Sequence, residues 1–228
     1  NSVDFGGDLT STRRNGHSAS SSTRGVFAGG FDNSDRVVTI DSIEIASNVI
    51  NAQDFGDLVI KGMGGGGCQI QSPTRGVFAG GDNGSSKVNT IQYVTISTTG
   101  NSSDFGELTT ATSGNNSGVS GNSTRGMIVG GYDYPVNAPS VGYFNNIQFI
   151  TIATLGNSQD FGDLLAGRSG AANCTSPTRA IVGNGLATSM TNSIETFIIT
   201  TTGNSVDFGD TTEARRTSTG ASNAHGGL

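Results

Sequence analysis

The stretch Asn51-Ala52-Gln53-Asp54-Phe55-Gly56-Asp57-Leu58 decides the fold, because its Asp-Phe-Gly core also begins at Asp4, Asp104, Asp160 and Asp207, giving successive spacings of 50, 50, 56 and 47 residues. Between copies the chain runs in one order. A small-residue stretch follows the motif, then Thr-Arg with an apolar run into glycines, as in Thr74-Arg75-Gly76-Val77-Phe78-Ala79-Gly80-Gly81. A polar loop and an alternating run, Thr90-Ile91-Gln92-Tyr93-Val94-Thr95-Ile96, complete the unit. Alternation at period two marks strands, so each unit carries four short ones. Repeats of this length with four strands are what a β-propeller blade requires, since each small sheet has two apolar faces that only its neighbours can cover. Residues 1–228 therefore read as a single all-β domain with repeat starts near 1, 51, 101, 157 and 204, four complete repeats and a partial fifth.

Composition agrees with that reading. Gly, Ser and Thr supply 36, 28 and 27 of the 228 residues against three Met and two Lys, which disfavours long helices. A hydrophobic content of 33% is too high for a polar disordered tract at net charge −6. The acidic balance leaves no electrostatic footprint for nucleic acid or an anionic membrane, and no apolar run is long enough to span a bilayer, so neither partner is expected. The start, Asn1-Ser2-Val3-Asp4, has neither an initiator Met nor the regions of a signal peptide, and the chain reads as processed or excerpted. Its two Cys form no framework of disulfides and no metal-ligand spacing.

The units resemble kelch-type propellers, whose repeat pairs a double glycine at the end of the second strand with aromatics on the third and fourth. The double glycine stands at Gly29-Gly30, Gly80-Gly81 and Gly130-Gly131 and degenerates to Gly183-Asn184-Gly185. Third-strand aromatics fall at Tyr93, Phe149 and Phe197, the first unit having Ile43 or Ile45, and Arg14-Asn15-Gly16-His17 repeats an opening found in many kelch blades. The family's fourth-strand Trp is Phe in every unit here, so the repeat is kelch-like. What the resemblance implies is a propeller of four-stranded blades, five-bladed or part of a larger ring. The tandem Asn-x-x-Asp-Phe-Gly-Asp-Leu and Ser-x-Thr-Arg-Gly-Val-Phe-Ala-Gly-Gly units also look like repetitive virion or tail-appendage proteins of marine bacteriophages.

Recurrence argues for structural roles, because an active site needs one distinct constellation and not five. Phe5, Phe55, Phe105, Phe161 and Phe208 are read as wedges between adjacent blades. The acids of the motif are expected to cap turns through their side chains. Arg24, Arg75, Arg125 and Arg179 are expected to pair with those carboxylates across blades. Cys68 and Cys174 each lie 14 residues after the Asp of their motif and read as buried free thiols on inner strands. Asp32-Asn33-Ser34-Asp35 and Asp82-Asn83-Gly84-Ser85 lack the ligand set of a calcium loop and read as turns. His17 and His225 have no activated nucleophile beside them, so no catalytic residue, cofactor or metal is expected and the chain is not read as an enzyme.

Strand direction places the loop after strand two and the linker after strand four on one end of each blade. The long insertion from Tyr132 to Tyr143, stiffened by Pro135 and Pro139, joins Asp32–Arg36 and Asp82–Lys87 there, with Arg13, Arg14, Lys61, Arg168, Arg215 and Arg216 from the linkers. Tyr132, Asp133, Tyr134, Tyr143, Arg14 and Arg168 are the expected ligand residues, exposed aromatics beside charges being suited to sugar rings or a protein anchor. The expected function is a non-enzymatic structural or recognition module of a virion or extracellular surface. Its partners would be other virion proteins, a host-surface glycan or protein, or further copies of itself. A kelch-like protein-interaction domain is the alternative, and a propeller oxidase or hydrolase the remaining one.

Overall fold

A computed structural model describes residues 7–47, 51–62, 70–112, 118–133 and 142–221 of the chain, and among these there is no helix. The strands form four antiparallel sheets of four, each a simple meander. Sheet 1 contains β1 (His17–Ser20), β2 (Arg24–Ala28), β3 (Thr39–Glu44) and β4 (Gln53–Asp57), and sheet 2 contains β5 (Ile70–Gln71), β6 (Arg75–Asp82), β7 (Lys87–Thr95) and β8 (Ser103–Glu107). In sheet 3, β9 (Gly118–Gly121) and β10 (Arg125–Val129) are followed by a small hairpin, β11 (Tyr132–Asp133) and β12 (Gly142–Tyr143), before β13 (Asn146–Thr151) and β14 (Gln159–Asp163) close the sheet. Sheet 4 contains β15 (Ala172–Thr175), β16 (Arg179–Gly183), β17 (Ser193–Ile198) and β18 (Val206–Asp210). The sheet frame is thus shifted by one strand from the sequence repeat: Asp-Phe-Gly ends one sheet and does not begin the next.

The turn between first and second strands is made by a single side chain in each sheet. The Ser21 hydroxyl accepts the N–H groups of Thr23 and Arg24 at 3.2 and 3.1 Å, and Ser72, Asn122 and Ser176 do the same for Arg75, Arg125 and Arg179. A side-chain acceptor this close in sequence competes with strand pairing and so favours a reversal. At the other end of the second strand the double glycine has positive φ at both places, +63° and +112° in sheet 1. In sheet 4 the first place is Asn184 at +64° and the second is still Gly185. The left-handed region explains the degeneracy, because Asn tolerates it.

Sheets 2 and 3 contribute both faces to the core, and sheets 1 and 4 one face each. The register between third and fourth strands shifts at Ile40/Asp41, Ile91/Gln92, Ile147/Gln148 and Ile194/Glu195, so the Phe of the motif is the extra residue of a β-bulge. That residue has no ladder partner and turns toward the following sheet. Phe55, Phe105 and Phe161 are each 2% exposed, in three separate clusters between sheets 1 and 2, 2 and 3, and 3 and 4. The glycine after each Phe has φ near +147°, and a methyl there would collide with backbone of the next sheet, Gly100 against Gly56 and Gly156 against Gly106. Inner strands also meet in sequence: β1 lies against β5 and β6, β5 against β9 and β10, and β9 against β15 and β16.

Three expectations are corrected here. Phe208 is 53% exposed, because no described sheet follows β18. Phe197 does not share the register of Tyr93 and Phe149: it pairs with Ala180 and points back into the seam with sheet 3, 5.4 Å from Phe161, while Thr196 takes the aromatic's place. Cys174 on β15 is a free thiol but only half-buried, with burial raising its pKa. Cys68, Phe5 and His225 lie outside the described residues.

Candidate functional site

The seams are latched by polar groups that recur in each unit. Gly100, Gly156 and Gly203 donate to the carbonyls of Phe55, Phe105 and Phe161 at 2.7–2.8 Å. The side chains of Asn101, Asn157 and Asn204 accept the backbone N–H of Asp57, Glu107 and Asp163 at 3.0 Å. In three units capping at the motif is done by the Asn of the following repeat, and the acids there are exposed, while in the last the expected acid, Asp207, accepts the Gly209 N–H at 3.3 Å. The repeated arginines also differ from expectation. Arg24, Arg75 and Arg125 donate across the seam to the backbone carbonyls of Ile96, Ile152 and Ile199 at 3.0, 2.6 and 2.7 Å. Arg75 and Arg125 lie over the rings of Tyr93 and Phe149 at 4.5 and 4.7 Å. Among the described residues the only carboxylate paired with this set is Glu44, with Arg24 at 2.8 Å. Arg179 at the same place is exposed.

A second latch is buried beside each bulge. The third strand carries Asp41, Gln92, Gln148 or Glu195, all buried, and each is met by the linker arriving from the preceding unit. Thr10 bonds Asp41 at 2.7 Å, the Ile60 N–H bonds Gln92 at 3.1 Å, Thr109 bonds Gln148 at 2.7 Å and the Leu165 N–H bonds Glu195 at 2.9 Å. Where the latch is acidic, an arginine completes it: Arg13 with Asp41 at 2.8 Å and Arg168 with Glu195. Arg168 is consequently not a surface ligand, since its guanidinium faces Glu195 and the Asn184 carbonyl in the interior.

The loops after the second strands and the linkers do share one end of the array. The second glycine of each pair donates to a linker carbonyl, Gly30 to Gly62, Gly81 to Thr112, Gly131 to Arg168 and Gly185 to Arg215, at 2.8–3.2 Å. Across this end runs a strip of touching side chains. Arg14 and Arg36 lie 5.1 and 5.5 Å from the Phe31 ring, Arg36 reaches Asp82 of sheet 2 at 3.0 Å, Lys87 bonds Asp82 at 2.6 Å, and Lys87 lies 5.5 Å from the ring of Tyr132 in the β11–β12 hairpin. Lys61 bonds Asp35 at 2.6 Å on the edge of the strip.

The charges of the strip are held in place chemically as well as geometrically. Hydrogen bonds from Ser34 and the Asp35 and Ser34 N–H groups bring Asp32 down to about 2, and the Lys61 bond lowers Asp35. For Asp82, burial pushes the pKa up, but Lys87, the Gly84 N–H and Arg36 together outweigh it and the net shift is downward. All three are anionic at neutral pH. Asp32 is a turn acceptor for Ser34 and Asp35, as expected of a turn.

Of the expected ligand residues, the structure brings Arg14 and Tyr132 onto the strip. Tyr143 pairs directly across the hairpin from Tyr132, and both are half-buried. Asp133 is placed in β11 opposite Gly142, and Tyr134 lies outside the described residues. Phe31 was not anticipated. Its signal is positional: the residue after the double glycine is Phe31, Asp82, Tyr132 or Leu186, the variable place beside an invariant one. Compared with known proteins, the chain matches no protein-family model and no curated protein.

Proposed function

We propose that the four sheets are blades of a propeller-type, kelch-like ring larger than four, and that the chain is a non-enzymatic recognition module of a virion or extracellular surface. The observation that carries the reading is the strip Arg14–Phe31–Arg36–Asp82–Lys87–Tyr132, which draws aromatic and charged side chains from three successive units onto one end. Half-exposed rings flanked by guanidinium and ammonium groups offer a stacking face with donors on either side, which suits a sugar ring or a protein loop. Such a site works by binding, with the sheets as scaffold and the loops as variable surface. His17 offers no catalytic base at this end, because it is buried against Phe78 with its pKa lowered to about 4 by desolvation.

The test is binding to a glycan array and to whole cells by the wild-type chain and by Phe31→Ala/Tyr132→Ala. Loss of binding with an unchanged melting temperature supports the reading. Binding that survives the double substitution refutes the site, and finding the ligand on another surface of the array would move it. Detection of these peptides by mass spectrometry in purified phage particles would support the virion assignment.

A further inference from the structure

Every sheet joins the next through one repeated contact, and among the described residues both halves of that contact also stand unused. The first half is the rear face of sheet 1. Phe27, Ile43 and Ile45 stand in register where the later sheets place Phe78, Val94 and Ile96, then Ile128, Ile150 and Ile152, then Val182, Phe197 and Ile199. Those nine side chains are at most 4% exposed, whereas Ile45 is 44% exposed and Phe27 and Ile43 are half-buried.

The second half is the forward face of sheet 4. Phe208 is exposed where its three counterparts are buried, and Ile194 is half-buried where Ile40, Ile91 and Ile147 are fully enclosed. A methyl on Gly209 would meet nothing within 4 Å, although the same position in the other three sheets is closed by the next sheet's backbone. Arg179 is exposed at the place from which Arg24, Arg75 and Arg125 reach the carbonyl of an Ile in the following sheet. The carbonyl matching that Ile on sheet 1 is that of Ile45.

We propose that these two faces bind each other between copies of the chain, the forward face of sheet 4 in one copy receiving the rear face of sheet 1 in the next. Phe208 then enters beside Phe27, Ile43 and Ile45, and Arg179 donates to the Ile45 carbonyl, repeating the three seams inside each chain. The contact is heterologous, because the two surfaces differ and every copy carries one of each. It also settles which linker fills the new seam. On sheet 1 the Asp8 N–H bonds Asn51, the Ala52 N–H bonds the Asp8 carbonyl, and Arg13 is paired with Asp41 in the interior, as Arg168 is with Glu195 at the internal seam. The corresponding residue of the other copy, Arg215, has its guanidinium only in an exposed pair with Glu213, so Arg13 keeps its place at Asp41, and residues 211–215 exchange the bonds of Thr211 to Asn184 and Asn192 and of the Arg215 carbonyl to Gly185 for the incoming segment. The proposal does not depend on what the loop end binds.

Sedimentation equilibrium of the full chain tests it with two variants, Ile45→Asp for the rear face and Phe208→Asp for the forward face. Both positions are exposed in the single chain, so both variants keep the wild-type melting temperature when dilute. Wild type is expected to associate, and each variant alone to weaken association at least about 100-fold, the loss typical of a central anchor. An equimolar mixture of the two variants restores a complex of two chains, because one intact forward face and one intact rear face remain. A wild-type chain that stays monomeric to about 100 µM, weak by the standards of stable assemblies, overturns the proposal. So does association untouched by either substitution, or a mixture that forms no complex.

Discussion

Replacing Phe105 by Ala and, separately, Phe208 by Ala measures what a following sheet contributes. Both residues occupy the same bulge in the same Asp-Phe-Gly motif, so their local sequence and backbone are alike. Phe105 is enclosed with Ile128, Ile150 and Ile152 of the next sheet and stands edge-on to Tyr93 at 6.0 Å. Deleting a buried Phe side chain costs about 3–5 kcal/mol, transfer and cavity together. At roughly 2–4 °C per kcal/mol for a chain of this size, the Phe105→Ala melting temperature should fall by about 10 °C. Phe208 is half out in solvent with no described sheet beyond it, and an exposed substitution of this kind stays within about 1 kcal/mol. The assay is urea unfolding and calorimetry at a concentration where the chain is monomeric. Equal losses for the two variants would refute the reading of the Phe as a wedge between sheets, and so would a loss below about 1 kcal/mol for Phe105→Ala.

Gly106→Ala should destabilise by more than Gly209→Ala, since both have positive φ but only Gly106 faces backbone of the next sheet; guanidinium unfolding of the two variants decides it. His17 has a folded pKa of about 4 against an ordinary 6.5, so the unfolded chain binds the extra proton first. Its contribution is complete above pH 6.5 and is lost as pH falls toward 4, by up to about 3 kcal/mol, and His17→Leu should flatten that limb of the stability–pH curve. Glu195→Gln leaves Arg168 buried without its counter-charge and should cost about 3–5 kcal/mol. Arg168→Thr/Glu195→Gln, which installs the residues that stand at the corresponding positions of the preceding unit, Thr112 and Gln148, should recover most of it, and a double-mutant cycle measures the coupling.

The repeat, the four strands and their antiparallel order were legible because all three depend on periodicity, which is local. What lies across a seam was not. The arginines were read as partners of carboxylates, since a sequence displays side chains and hides the carbonyls of Ile96, Ile152 and Ile199 that accept them. Arg168 looked like a surface cation because Glu195 is distant in sequence and belongs to the third strand of the next sheet. Phe197 looked like a counterpart of Tyr93, yet a displacement of one residue in a strand exchanges faces. Of the residues read as wedges, Phe55, Phe105 and Phe161 are buried at a seam and Phe208, whose sequence context is the same, is not.

The two ends of the side-chain inventory obey different constraints. The seam contacts are directed mainly at backbone: glycine N–H to Phe carbonyl, Asn side chain to acid N–H, arginine to Ile carbonyl. Acceptors of that kind persist whatever residue supplies them, so a unit can vary its buried latch between Gln92 and Glu195 and still dock. At the loop end the contacts run from side chain to side chain, Lys61 to Asp35, Arg36 to Asp82 and Lys87 to Asp82. The exposed Lys61–Asp35 pair contributes about 0–1 kcal/mol, and the Asp82 pairs, only partly buried, join neighbouring loops and not the sheets themselves. Their effect is to fix where Phe31 and Tyr132 sit. Residues can therefore change on that end without loosening the array, provided the charges that position the rings change in step, and this freedom is what a recognition surface on a repeated scaffold requires.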